Sequence, residues 1–152
     1  MGALVGLLTP SKSNNFSALA VLDAPFDFET LVREELIYQG FSELLWTPLY
    51  HYVLIFEGIN LLANNPEDSL KAGNKQPILI FNGMDNDRVL PHHTDDLIDS
   101  ATEIGIELEI NRYEELGHTR VLYDYPKEFS IKLVQFFSRH LNLSLIHISE
   151  PT

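Results

Sequence analysis

The sequence predicts an α/β fold in which helices cover a parallel sheet. Apolar runs of strand length, such as residues 77–81 (PILIF), alternate along the chain with segments of helical length and periodicity. The chain has 152 residues, of which 45% are hydrophobic, and a mean hydropathy of -0.03. These values are typical of one globular domain that is large enough to bury a core.

In the first half of the chain, turn residues separate the predicted elements. Proline and glycine mark the interruptions that we expect near Pro48 and Gly58. The expected elements, in order, are a short helix or strand over residues 4–8, a buried strand over 16–22 (FSALAVL), a helix over 28–38, an interrupted helical segment over 41–63, and a turn leading into a helix at 64–68.

The second half has clearer signals. The strand at residues 77–81 is followed by Asn82 and Gly83, which should close it. Residues 91–105 predict a helix because proline stands in the first turn and glycine follows the end. The remaining predictions are an alternating strand over 106–113, a loop over 114–124 and an amphipathic helix over 126–141.

Charge and composition exclude several function classes. A formal charge of -12 argues against nucleic acid, whose binding depends on Lys and Arg, and the absence of cysteine excludes disulfides and thiolate chemistry. No basic residue precedes the first apolar run, and no apolar run is long enough to span a bilayer. We therefore expect a soluble protein without a membrane partner. The compartment and the oligomeric state stay open, with the cytoplasm slightly favoured.

Two polar loops follow predicted strands and are the expected location of chemistry, because ligands of parallel sheets lie beyond the carboxyl ends of the strands. The first contains Asp85, Asn86, Asp87 and Arg88, and the second contains His118. A carboxylate and a histidine on neighbouring strand ends can form a general base with its orienting acid. Acidic residues in such loops more often cap helices or stay solvated.

The order NGMDNDRVLPHH, helix, strand, EELGHT and closing helix resembles the C-terminal third of an α/β-hydrolase. More narrowly, it resembles the prolyl oligopeptidase family of serine peptidases. The run FSALAVLDAPFDFETL is similar to the strand after that family's nucleophile, with Asp27 in a matching place. The resemblance implies the last three strands of this fold, a Ser-His-Asp acyl-enzyme mechanism, a peptide substrate and no cofactor.

The resemblance also implies roles for the loop residues. His118 matches the catalytic histidine, although Thr119 follows it where the family usually has glycine. The acid position falls on Asn86, and Asp85 or Asp87 would supply the carboxylate if the loop were shifted by one residue. We lean to Asp87 or Asp85 as the acid, and Asn86 stays open as the alternative.

Two further features have competing interpretations. Arg88 matches a family arginine that binds the substrate backbone, and a salt bridge to Asp85 or Asp87 is equally plausible. His92 and Asp96 lie one helical turn apart, which suits a metal. We expect no metal there, because no third ligand is spaced to complete the site and acidic residues near a helix start are explained by the helix dipole.

Both ends of the sequence suggest a fragment. The chain contains no G-x-S-x-G, yet MGALVGLL resembles the stretch after a nucleophile, which would then be the residue before Met1. Residues 143–152 (LSLIHISEPT) look like the translation of a sequencing adapter. We therefore expect residues 1–142 to be the C-terminal part of a catalytic domain without activity of its own. The alternatives are a carboxylesterase-like hydrolase and a non-catalytic binding member.

Overall fold

A computed structural model describes residues 2–8, 17–63, 65–73 and 75–141. Helices and strands alternate along most of this length. They are α1 (Gly2–Leu8), β1 (Leu19–Leu22), α2 (Phe28–Tyr38), a short 3-10 helix (Glu43–Leu45), α3 (Trp46–Phe56), α4 (Pro66–Ala72), β2 (Ile78–Gly83), α5 (His92–Glu103), β3 (Leu108–Tyr113), α6 (Val121–Asp124) and α7 (Pro126–His140).

The three strands form one parallel sheet in the order β1-β2-β3. Ile80 in the central strand pairs with Val21 in β1 and with Ile110 in β3. Every residue of β2 is buried, as expected for a strand with a neighbour on each side and helices on both faces. The predicted α/β class and parallel sheet are confirmed.

Alternate residues of β2 enter two separate cores. Ile78 and Ile80 pack on one face with side chains from α1, α4 and α5, including Leu7, Leu70 and Leu97. Leu79 and Phe81 pack on the other face with Val121 of α6 and Phe136 of α7. The period-two alternation of a strand thus places helices on both faces and leaves the sheet's carboxyl edge to the loops.

The structure corrects some predicted boundaries. Pro48 does not interrupt the helical segment, because it lies in the first turn of α3, where its missing N–H costs no hydrogen bond. Gly58 does follow the helix end, with a φ of 67°. β2 continues through Asn82 and Gly83, and the predicted loop after β3 contains the short helix α6.

The predicted adapter-derived tail, residues 143–152, lies outside the described residues. Within the described ranges, each helix is too short or too polar to cross a bilayer. All of the predicted site residues lie inside the described ranges and can be placed.

Candidate active site

Three polar side chains meet at the carboxyl edge of the sheet. Asp23 directly follows β1, Asn86 lies in the loop after β2, and His118 lies in the loop after β3. The strands are parallel and adjacent, so residues far apart in the chain come into contact here. Asn86 and His118 are 32 positions apart, and Asp23 and Gly83 are 60 positions apart. The two loops singled out in the sequence are therefore neighbours in the fold.

Asn86 is the residue of the first loop that contacts His118. It is buried, and its Oδ1 accepts hydrogen bonds from the backbone N–H groups of Arg88 and Val89, both at 3.0 Å. These two donors fix the orientation of the amide, because only the carbonyl oxygen can accept them. The Nδ2 group is thereby directed at His118 Nδ1, at 3.2 Å.

This orientation has a chemical consequence for the imidazole. Nδ2 is a donor, so His118 Nδ1 must act as the acceptor, and the neutral ring then carries its proton on Nε2. A catalytic histidine needs the reverse arrangement, with Nδ1 protonated and Nε2 free to accept a proton. Asn86 by itself favours the tautomer that cannot serve as a general base.

Asp23 is a site residue that the sequence analysis missed. Its side chain is 1% exposed, and its Oδ2 lies 3.8 Å from His118 Nδ1. The same oxygen accepts the Thr119 N–H at 2.7 Å, while Oδ1 accepts the Gly83 N–H at 2.9 Å and Asn82 Nδ2 at 3.3 Å. One signal was available: Asp23 is an acidic residue placed immediately after a predicted strand.

Gly83 allows the loops after β2 and β3 to approach each other. A Cβ atom at this position would lie 2.3 Å from the carbonyl oxygen of Leu116 and 2.9 Å from that of Gly117. The loops are joined there by a hydrogen bond of 3.1 Å from the Asp85 N–H to the Leu116 oxygen. Only glycine fits at the end of β2 without moving the histidine loop.

Two residues of the site have left-handed backbone conformations. Asp23 has a φ of 45° and Thr119 a φ of 58°. Aspartate tolerates this region, but a β-branched threonine does so rarely and at a cost of about 1–2 kcal/mol. The two strained residues are joined to each other, since the Thr119 N–H donates to Asp23.

Asp85 and Asp87 are both exposed, and neither is among the described residues that contact the His118 ring. Arg88 pairs with Glu35 of α2, whose two carboxylate oxygens each lie 3.0 Å from Nη2. Its guanidinium also lies 4.5 Å from the centre of the Tyr38 ring. The arginine's partner is therefore on α2 rather than in its own loop.

A groove opens beside His118. It has a volume of about 390 Å³ and lies between α2 and the loop after β2. Its lining combines three aliphatic side chains with the ion pair and the histidine: Leu31, Val32, Glu35, Arg88, Val89 and His118. The histidine is 39% exposed at this surface, so a bound molecule can reach the ring.

The structure brings Glu34 to the His92–Asp96 pair, whose spacing in the sequence suits a metal. Glu34 of α2 meets His92 Nε2 at 2.5 Å and His93 Nε2 at 3.0 Å, while Asp96 lies 3.5 Å from His92 Nδ1. The Phe26 N–H donates to His93 Nδ1 at 3.3 Å. That bond places the ring proton on Nε2, which then donates to Glu34 and has no lone pair to offer a cation.

The structural comparisons identify the class of fold as the α/β-hydrolase fold. An esterase from Pyrococcus furiosus matches with a TM-score of 0.64 and 17% identity, covering 93% of this chain and 51% of that protein. An acylaminoacyl peptidase from Pyrococcus horikoshii matches with a TM-score of 0.64 and 17% identity, over 97% and 24% of the two chains. A puromycin-hydrolysing peptidase from Mycobacterium tuberculosis gives 0.67 and 15%, over 92% and 21%.

The chain thus spans about half the length of the esterase and a quarter or less of the peptidases. The expected fold, part of an α/β-hydrolase with three parallel strands and flanking helices, is confirmed. No protein-family model matches the chain, and no curated protein matches it.

Proposed function

We propose that this chain is the C-terminal part of the catalytic domain of a serine peptidase of the prolyl oligopeptidase type. The observation that carries the proposal is the position of His118. Its ring lies at the carboxyl edge of the sheet, with Nδ1 facing the ends of two neighbouring strands and the ring beside an open groove. A general base in this fold needs that placement.

In the proposed reaction, His118 Nε2 takes the proton of a serine hydroxyl as the oxygen attacks the substrate carbonyl. It then returns that proton to the leaving amine. We place this serine directly before Met1, because the sequence itself has no G-x-S-x-G. The chain alone should therefore hydrolyse neither peptides nor esters.

The groove suggests how a peptide would bind. Leu31, Val32 and Val89 offer an apolar wall for a substrate side chain, and we assign Arg88 to the substrate backbone. Glu35 accepts hydrogen bonds from the Nη2 atom of Arg88, so the other N–H groups of the arginine can donate to a carbonyl oxygen of the substrate. A structurally similar acylaminoacyl peptidase was solved with Z-Gly-Gly-Phe-chloromethyl ketone, a peptide-like inhibitor.

We expect the reading frame to extend upstream of Met1 and to encode a longer product that includes this chain, and the test begins there. The upstream nucleotide sequence should continue in frame with Gly-x-Ser directly before Met1, and the longer product should be labelled by a fluorophosphonate probe. His118→Ala should abolish the labelling. His51→Ala is the matched control, because His51 is an exposed histidine of α3 whose Nδ1 only contacts the Thr47 carbonyl oxygen.

An in-frame stop codon directly upstream of Met1 would contradict the fragment proposal. Labelling of the 152-residue chain itself would contradict the proposal that the nucleophile lies outside this chain. Undiminished labelling of His118→Ala in the longer product would remove the histidine from the mechanism.

An esterase is the second candidate, because the esterase from Pyrococcus furiosus has the same TM-score, 0.64, as the acylaminoacyl peptidase. The longer product should be assayed on acetylphenylalanine ethyl ester and acetylphenylalanine p-nitroanilide, which share an acyl group. A peptidase cleaves both, whereas hydrolysis of the ester alone would favour the esterase.

A further inference from the structure

We propose that Asp23, at the end of β1, is the positioning carboxylate of His118 and does what the amide of Asn86 cannot do. The juxtaposition behind this proposal is a buried carboxylate 3.8 Å from Nδ1, on the side of the ring where the amide presents a donor. The proposal rests on the proposed function, in which His118 is a general base.

The burial of Asp23 points to a partner that carries positive charge. An isolated buried carboxylate is unfavourable unless it is hydrogen-bonded and paired. Asp23 receives two backbone N–H bonds and one from the Asn82 amide, all from neutral donors. Among the described residues, His118 is the basic side chain recorded within ion-pair distance of this carboxylate.

Counting protons at Nδ1 leads to the same residue. A general base accepts a proton at Nε2, so Nδ1 must already carry one and needs an acceptor. Of the two side chains that face Nδ1, Asn86 presents its donor and Asp23 presents Oδ2. Asp23 is therefore the acceptor available to the protonated Nδ1.

The proposed step is balanced without any co-reactant. The O–H bond of the nucleophile breaks as its oxygen bonds to the substrate carbonyl carbon, and the C=O π pair moves to the carbonyl oxygen. The released proton forms the Nε2–H bond, and the ring becomes an imidazolium. Its Nδ1–H is directed to Asp23 Oδ2, whose negative charge compensates the new positive charge. A shift of about 1 Å converts the observed 3.8 Å separation into a hydrogen bond of ordinary length.

The two neighbours of Nδ1 oppose each other. Asn86 stabilises the Nε2–H tautomer through its amide, whereas Asp23 stabilises the Nδ1–H tautomer through its carboxylate. Removing the amide should release the ring to Asp23. The asparagine thereby reduces the fraction of molecules in the form that can act as a base.

The test measures the tautomer of His118 in the full chain, labelled with ¹⁵N-histidine, by long-range ¹H–¹⁵N NMR. The spectra are recorded in the pH range where the ring signals no longer change with pH, so that the ring is neutral and the signals of the two ring nitrogens distinguish the tautomers. His118→Ala assigns the resonances. In Asn86→Ala, the proton should lie mainly on Nδ1. A ring that stays in the Nε2–H form in this variant would overturn the proposal.

In the Asn86→Ala background, adding Asp23→Asn should abolish the Nδ1–H form, and adding Asp85→Asn at an exposed position is the matched control that should leave the ring unchanged. Asp23 accepts three N–H groups, so its variant can also lose stability. The Asn86→Ala result does not depend on that variant. An Nδ1–H form that persists in the folded Asp23→Asn, Asn86→Ala double variant would also overturn the proposal.

Kinetics of the longer product give a second readout. Asn86→Asp should raise kcat by about 10-fold or more with an unchanged KM, because it replaces the amide donor that opposes Asp23 by a second acceptor for the Nδ1–H group. Asp23→Asn should lower kcat and leave KM unchanged, whereas no change in kcat would overturn the proposal. A longer product that hydrolyses nothing would contradict the proposed function, but the tautomer measurement would still decide the role of Asp23.

Discussion

Single residues determine the shape of the candidate site largely through their backbones. Gly83 permits the loop after β3 to pass within van der Waals distance of the end of β2. Thr119 has a left-handed conformation that threonine rarely adopts, and its N–H reaches the buried Asp23. His118 lies between these two constraints, so its position depends on both.

Replacing Gly83 by alanine should displace the histidine loop. The new Cβ would lie 2.3 Å from a backbone oxygen, which cannot move without shifting the chain. We expect a loss of about 1–3 kcal/mol in the free energy of unfolding, measured by urea denaturation.

Gly117→Ala is the matched control, because its Cβ would meet the nearest atom at an ordinary 3.6 Å. Chemical shifts of the His118 ring should change in Gly83→Ala and stay close to wild type in Gly117→Ala. Equal stability of the two variants would contradict the close approach of the loops.

Replacing Thr119 by glycine should stabilise the fold. The left-handed conformation costs threonine about 1–2 kcal/mol, and glycine removes that cost while adding up to 1 kcal/mol of backbone entropy in the unfolded chain. The expected net gain in the free energy of unfolding is about 0.5–1 kcal/mol, measured by urea denaturation. Thr119→Ala retains a Cβ and should not show this gain. A lower free energy of unfolding for Thr119→Gly than for the wild type would contradict the proposal that the left-handed conformation of Thr119 is strained.

At the scale of elements, α2 is joined to the helix and loop that follow β2 by two adjacent glutamates. Glu35 holds Arg88 of the loop, and Glu34 bonds to His92 and His93 at the start of α5. These links join residues more than 50 positions apart in the chain. The Glu35–Arg88 pair bridges the groove beside His118, because α2 and the loop form its walls.

The histidines of this cluster have opposite pKa shifts. Burial lowers the pKa of His92, but hydrogen bonds and charge from Glu34 and Asp96 outweigh it, and the net pKa is raised. Burial also lowers the pKa of His93, and there it outweighs the attraction of Glu34. His92 therefore contributes stability that is fully present below about pH 6.5 and is lost as the pH rises through its raised pKa.

Glu34→Gln should consequently destabilise the chain more below about pH 6.5 than at a pH above the raised pKa of His92, where that ring is neutral. The measurement is the free energy of unfolding across this range. Glu35→Gln is the matched control, because it removes the neighbouring carboxylate of α2, whose partner is Arg88 and not a histidine. If the loss of stability in Glu34→Gln did not vary with pH, this would contradict an ion pair between Glu34 and a protonated His92.

At the scale of the whole molecule, the segment between β1 and β2 exposes a large apolar surface. We define the α3 surface as Tyr52, Ile55 and Phe56 of α3 together with Leu44 of the preceding 3-10 helix. Leu44 is 75%, Ile55 68% and Phe56 71% exposed. The rings of Tyr52 and Phe56 lie 5.0 Å apart, so this surface is continuous in part. Exposed apolar patches of this kind promote association between molecules.

We expect the chain to associate with increasing concentration, and we expect Phe56→Glu to weaken that association by placing a charge in the α3 surface. Light scattering over a range of concentrations gives the mean mass. The control is Tyr123→Glu, since Tyr123 is 72% exposed but lies in α6. An identical effect of the two substitutions would show that the α3 surface is not responsible.

The sequence by itself determined the order of the elements, the parallel sheet and the presence of His118 and Asn86 at strand ends. These features follow from local periodicity, from turn residues and from the rule that parallel strands end at one edge. Helix α2 agrees with the prediction at both of its ends, and its start is fixed by Asp27, whose side chain accepts the Thr30 N–H as an N-cap.

Only the tertiary structure decided which side chains meet. The pairing of Asp23 with Thr119 joins residues 96 positions apart, and the pairing of Arg88 with Glu35 joins residues 53 apart. The loop register, with Asn86 inward and Asp85 and Asp87 exposed, depends on two backbone N–H groups bonded to the asparagine oxygen. Such contacts depend on how the strands are placed together, which local patterns of a sequence do not encode.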